Sequence, residues 1–192
     1  MPLVGEQTVI RCQSADVLPA FTRWVTAESA GGVRLIVLEG AMLSGKFSLT
    51  NEPISLDERQ TTSIEVDHFV RDDADNDQGY LDNVMRVPLA AAIQGGLATS
   101  PIVIVEGAMV WPLVQGIIEK IGSGRVRRVY LKRMKWSDPD RWHDGSQFLE
   151  AALPRYHGEY SNSIDRYHRD HQPWRAADLV VERIEAEDED DQ

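Results

Sequence analysis

Short apolar runs recur along the chain, and most of them stop on an acid or a glycine. Arg34 to Glu39 reads R-L-I-V-L-E and meets glycine; Thr62 to Asp67 reads T-S-I-E-V-D; Pro101 to Glu106 reads P-I-V-I-V-E, again followed by glycine. Val126 to Lys132 (V-R-R-V-Y-L-K) and Ala177 to Arg183 (A-D-L-V-V-E-R) complete a set of five predicted strands. A continuous β-branched run such as the third belongs to a sheet covered on both faces. Between the strands the apolar residues switch to helical spacing. Tyr80 to Ala98 carries Leu81, Val84, Met85, Leu89, Ile93 and Leu97, with Pro88 placed to kink or split it. Met109 to Ile121 runs past Pro112 with Leu113, Ile117, Ile118 and Ile121. Weaker helical patterns cover Asp140 to Leu153 and Tyr156 to Asp170. Ala15 to Ser29 forms an earlier helix, with a candidate strand, Gln7 to Arg11, in front of it.

Strands alternating with helices predict a three-layer α/β/α sandwich around a mostly parallel five-stranded sheet. Residues 1–184 make one domain, with 1–33 as an N-terminal strand-plus-helix extension. Ligands of such sheets sit beyond the carboxyl ends of the strands. Three of those ends carry chemistry here: Gly40 onward, Asp67 and Glu106.

Charge changes this picture little. The net charge of the 192 residues is −11, and six acids fall between Glu185 and Asp191, so the rest of the chain carries about −5 (−11 plus 6). The acidic end, 185–192, reads as a solvated, disordered tail. No strongly basic segment is present, which argues against nucleic acid as a partner. No apolar run reaches the roughly 18 residues of a membrane span. One cysteine, Cys12, rules out an intrachain disulfide, and with no secretory pattern at the start the expected compartment is the cytoplasm.

The sharpest motif is Gly40-Ala41-Met42-Leu43-Ser44-Gly45-Lys46, which fits G-x-x-x-x-G-K directly after an apolar strand. Glycines let the chain curl so that backbone N–H groups point at phosphate oxygens, and the lysine adds charge to the outer phosphates. The motif calls next for a Ser or Thr hydroxyl on Mg²⁺, but the residue there is Phe47; Ser48 lies one place later. Pro53 makes the following helix short. A Gly-containing strand–helix turn with an exposed lysine is the plainer alternative.

Asp67 and Glu106 can each accept a proton from an attacking hydroxyl or hold a metal; strand-end acids facing solvent are the alternative. Arg127, Arg128, Lys132, Arg133, Lys135 and Arg141 gather just before and within Met134 to Gly145, a candidate lid for which Arg133, at its edge, and Arg141 are the lid residues; alternating Arg and Lys lining strand edges are the alternative. Asp72, Asp73, Asp75 and Asp77 read as a solvated loop, and His68 as a polar loop residue. His143, His157, His168 and His171 give no zinc spacing, and surface placement is expected of them. Trp136, Trp142 and Trp174 fall near the proposed site, as packing or as a platform for a base.

Together these residues resemble the uridine kinase-like P-loop kinases. L-I-V-L-E-G-A-M-L-S-G-K is similar to their first strand and phosphate loop, I-E-V-D-H-F to their second strand, and I-V-I-V-E-G to their third. Y-H-R-D-H-Q-P-W-R-A-A-D-L-V-V is similar to their closing helix and last strand. The resemblance spans about residues 34 to 184. It implies a nucleoside-kinase-like fold of the P-loop nucleoside-triphosphate hydrolase class, with ATP and Mg²⁺ as cofactors. By the same resemblance Gly40 to Ser48 would bind nucleotide, with Lys46 on the outer phosphates. Asp67 would be the base for the acceptor hydroxyl, Glu106 would organise metal or substrate, and Arg133 or Arg141 would act in the lid. Phe47, Val70 where the family often has tyrosine, and the lack of an R-x-x-R-D run depart from the pattern. The expected activity is transfer of a phosphoryl group from ATP to a small, nucleoside-like acceptor. The alternatives are a nucleotide-binding regulator that has lost catalysis and an α/β interaction domain that uses its acidic tail.

Overall fold

Every strand of the main sheet pairs in parallel, in the order β1 (Thr8–Gln13), β8 (Leu179–Glu185), β7 (Val126–Lys135), β2 (Leu35–Glu39), β6 (Val103–Gly107) and β5 (Thr62–Glu65). The computed structural model describes residues 7–41, 44–56, 59–71, 77–135 and 158–185. A small antiparallel hairpin, β3 (Ser55–Leu56) with β4 (Arg59–Gln60), stands apart. The helices are α1 (Ser14–Ala30), α2 (Phe47–Thr50), α3 (Tyr80–Asn83), α4 (Arg86–Thr99), α5 (Trp111–Ile121) and α6 (Glu159–His171).

The sheet has six strands rather than the expected five. The sixth is β1, expected as part of an extension, which pairs with β8 from Thr8↔Leu179 to Gln13↔Ile184. Its sequence hides the pairing because an edge strand is half exposed: Val9 is 54% exposed, and only Ile10 and Cys12 pack inward. The hairpin β3–β4 was not expected at all; its strands are two residues long and carry no alternation to read. Proline divides the predicted helix 80–98 as its chemistry requires. α3 ends at Asn83, Val84 is extended, and Pro88 sits in the first turn of α4, where its missing N–H costs nothing.

Strand alternation sorts the core into two layers. Leu35 and Val37 of β2 with Val103 and Val105 of β6 meet Leu89 and Ile93 of α4, Val114 and Ile117 of α5, and Ile164 of α6. Ile36, Leu38 and Ile104 face the other way, onto Val17, Phe21 and Val25 of α1, Leu49 of α2 and Ile54. All five residues of β2 are buried, as its unbroken apolar sequence demands. None of the helices among the described residues is long and apolar enough to cross a membrane. From β2 the chain goes out to β5, returns on β6, then passes to β7 on the opposite side. Such a reversal opens a crevice beyond the carboxyl end of β2. The glycine loop lies there.

Candidate functional site

Gly40 begins the loop because nothing larger fits. A Cβ on it would lie 2.6 Å from Ser44 Oγ and 2.7 Å from the carbonyl oxygen of Leu131. Gly45 turns the chain with φ of +90°, a conformation that L side chains rarely adopt. Between them Ser44 is fully buried. The turn returns Lys46 over the loop, where its ammonium donates to the carbonyls of Gly40 and Ala41, each at 3.1 Å, and lies 3.5 Å from Ser44 Oγ. Met42 and Leu43 lie outside the described residues.

Lys46 also faces four acids from three strand ends. Burial lowers its pKa from the ordinary lysine value, against the pull of Glu106, Asp67, Glu65 and Glu39. Glu106 is 3% exposed, and its carboxyl is pushed up to about 7. Burial is the main cause; Lys46 opposes it, and Glu65 and Asp67 add to it. Glu65 and Glu106 are in-register partners across β5 and β6. Asp67 sits in a 3₁₀ turn, Val66–Phe69, that follows β5, and it accepts a hydrogen bond of 2.8 Å from the phenol of Tyr80. Burial, then Asp67, raises the Tyr80 pKa far above the ordinary phenol value, so that hydroxyl stays a donor. His68 is exposed, as expected, and lies 3.4 Å from Glu65.

The sequence assigns no functional role to Glu39, Trp111 and Tyr167. Glu39 is buried at the end of β2; it accepts from the Trp111 N–H at 2.9 Å and the Tyr167 hydroxyl at 2.8 Å, and pairs with Arg128 at 3.4 Å. The Arg128 guanidinium lies 4.1 Å above the Trp111 ring. An acid closing a wholly apolar strand was the available signal. His168 corrects the expectation of surface placement. It is 1% exposed, 3.1 Å from the Tyr130 hydroxyl, and burial lowers its pKa to about 3. Its signal was the stripe Ile164, Tyr167, His168 at helical spacing, obscured by the charged residues between. Trp174 is buried against Tyr130 and takes the packing role. A cavity of about 720 Å³ opens between α5 and α6, and its walls include Trp111, Arg128, Tyr167, Arg166 and His171.

Arg133 lies within β7 and not in a loop; its register partner is Arg183 of β8. Met134 and Lys135, where the expected lid begins, still belong to β7; Arg141, the rest of that lid, Trp136, Trp142 and the tail beyond 185 lie outside the described residues. The residues at the loop do not fit Mg²⁺. Phe47 is 60% exposed and offers carbon where a hydroxyl is needed. The Ser48 hydroxyl is engaged, donating to the Gly45 carbonyl at 2.6 Å. Among the described residues no three His, Cys, Asp or Glu side chains group around a metal position. Among the described residues the carboxylates that face Lys46 at the loop are Glu106, Asp67, Glu65 and Glu39, and burial pushes Glu106 up to about 7. No family model, curated protein or solved structure matches the chain.

Proposed function

We propose that the chain is a nucleoside-triphosphate-binding protein that transfers the terminal phosphoryl group of ATP to a hydroxyl of a small, nucleoside-like acceptor. The observation that carries this reading is Lys46. It is delivered by a glycine loop at the carboxyl end of a central parallel strand, into one electrostatic cluster with Glu106, Asp67 and Glu65. Phosphate binding exchanges the Gly40 and Ala41 carbonyls around the ammonium for phosphate oxygens, a charge-assisted pairing. Asp67, exposed at the rim and oriented by Tyr80, is the base for an acceptor hydroxyl. Glu106 titrates near neutrality, where a general base or acid works best. The cavity between α5 and α6, walled by the Glu39 partners Trp111, Arg128 and Tyr167, has the volume of a small-molecule site.

A second reading rests on Phe47. Without a hydroxyl ligand at the loop, the protein binds nucleotide and does not turn it over. One experiment separates the two. ATP binding is measured with and without Mg²⁺, and phosphate loss is then followed with a panel of nucleosides and sugars. Turnover with an acceptor supports the kinase; binding without turnover supports the regulator. Lys46→Ala should weaken ATP binding about tenfold or more, the scale of one charge-assisted hydrogen bond. A wild type that binds no ATP and matches Lys46→Ala in every measurement sinks both readings.

A further inference from the structure

A cation of β7 stands in the wall of the cavity between α5 and α6. Arg128 shares the strand face of Val126 and Tyr130, which pack toward those helices and away from α1. Its side chain is 15% exposed and lines the cavity, with the guanidinium 4.1 Å from the centre of the Trp111 ring. Glu39 holds it by a single bond from Nη2 at 3.4 Å, the long end of the range. The short bonds to Glu39, at 2.8 and 2.9 Å, come from Tyr167 and Trp111 instead. Among the described residues nothing accepts from the Arg128 Nε. The guanidinium therefore keeps donor capacity that the protein does not use. Donors left unmet away from water are costly, and an acceptor brought by a ligand removes that cost.

We propose that this cavity binds a small molecule built of a carboxylate on a flat apolar body, with the carboxylate on Arg128 and the body against Trp111 and Tyr167. The proposal rests on the cavity being a small-molecule site and not on nucleotide binding at the glycine loop. A carboxylate offers two oxygens in one plane, the shape that a guanidinium fork matches. Leu81, Met109 and Pro112 make much of the remaining wall apolar, so a hydrophobic body is needed as well as a charge. The His171 ring, 5.2 Å from that of Tyr167, extends the aromatic side. The other charged groups of the wall have partners of their own: Arg166 pairs with Glu159, and Asp170 lies 3.7 Å from Arg169. Glu39 is 2% exposed and does not line the cavity, so a ligand meets the guanidinium first.

The test titrates the full chain, labelled with nitrogen-15 at tryptophan, with two flat ligands of one shape: naphthoate and its neutral amide, naphthamide. Binding is followed at the indole N–H resonance of Trp111, assigned by its loss in Trp111→Phe. Naphthoate should move that resonance and bind about tenfold or more tighter than the amide, the scale of one charge-assisted hydrogen bond. Glu39→Gln keeps the side-chain shape and removes the charge that competes for Arg128. Naphthoate affinity should then rise about tenfold while naphthamide affinity stays unchanged. Arg128→Met should abolish the preference for naphthoate. Thermal melts identify a variant that does not fold, and in that case the wild-type comparison of the two ligands decides. Equal affinities in wild type overturn the carboxylate assignment and leave the cavity as a small-molecule site. A folded Glu39→Gln protein that binds naphthoate more weakly than wild type overturns it too. If neither ligand moves the Trp111 resonance, the cavity reading fails and the proposal with it. ATP titrated into the same samples keeps the two sites apart. ATP binding without a naphthoate response sinks the proposal alone; a naphthoate response without ATP binding supports it while the nucleotide reading fails.

Discussion

Glu39 and Glu106 are two carboxylates on adjacent strands with almost the same burial, 2% and 3% exposed, and opposite surroundings. Alternation along each strand accounts for the divergence. Glu39 shares the face of Leu35 and Val37, toward α5 and α6, while Glu106 shares the face of Ile104, toward the glycine loop. On the first face a helix start offers a backbone N–H, a tyrosine offers a hydroxyl and Arg128 offers a charge, and all three converge on Glu39. On the second face Glu106 meets one lysine and two further acids. A buried anion that is fully solvated by fixed donors is an anchor. One that is incompletely compensated becomes a proton acceptor near neutral pH.

Breaking the anchor should have the largest effect. Glu39→Ala leaves the Arg128 charge, 15% exposed, without its carboxylate, and strands the Tyr167 hydroxyl and the Trp111 N–H. Removing one partner of a buried pair costs about 3–5 kcal/mol. Urea denaturation at pH 7 reads this directly, and a loss below about 1 kcal/mol would equate Glu39 with a surface acid.

Glu106→Gln should act with the opposite sign. In the folded protein the Glu106 carboxyl is pushed up to about 7, above its ordinary value of 4.5. Below the lower value both folded and unfolded chains are protonated, and the group contributes nothing. As pH rises from 4.5 to 7 the unfolded chain loses the proton first, so wild-type stability falls across that window and levels above it. At 1.36 kcal/mol per pH unit the fall approaches about 3 kcal/mol. Glu106→Gln removes it, so the variant should match or exceed wild-type stability at pH 8 and resemble it at pH 4.5. Unfolding curves at several pH values check the slope; identical slopes in the two proteins would remove the distinction between the two carboxylates. In the kinase reading wild-type turnover rises through pH 7 as Glu106 ionises.

The contrast between the two acids was not legible in the sequence, although most of the fold was. β2 and β6 announce themselves because both their faces are buried, which forces continuous apolar runs. β1 reads as a strand, Gln7 to Arg11, but not as a member of this sheet, because an edge strand is covered on one side only. The glycine loop is legible because its spacing expresses backbone needs, the close approach at Gly40 and the positive φ at Gly45, that act within seven residues. The donors that define Glu39 come from positions 111, 128 and 167, and Arg183 reaches the loop from more than 130 residues away. Long-range convergence of that kind leaves no local period. It also explains why His168, set among charged neighbours, reads as a surface residue until the packing of α6 is known.

The smallest expected effect concerns Asp67, which stands between the two extremes. It is exposed, yet one oxygen is held at 2.8 Å by a hydroxyl belonging to a residue only 1% exposed. The Tyr80 ring packs edge-on against Tyr160 at 5.3 Å, so the phenol is fixed by the core while the carboxylate it holds is in water. Tyr80→Phe keeps the ring and removes only the donor. Water can replace that donor on an exposed carboxylate, so the stability cost should be about 1 kcal/mol, well below that of Glu39→Ala. If the hydroxyl serves to aim Asp67 at an acceptor, turnover should fall while ATP affinity, set at Lys46, stays at the wild-type value. A parallel loss of ATP affinity would place Tyr80 in the packing of the whole site. Unchanged turnover in an active enzyme would remove orientation of Asp67 by Tyr80 from the mechanism.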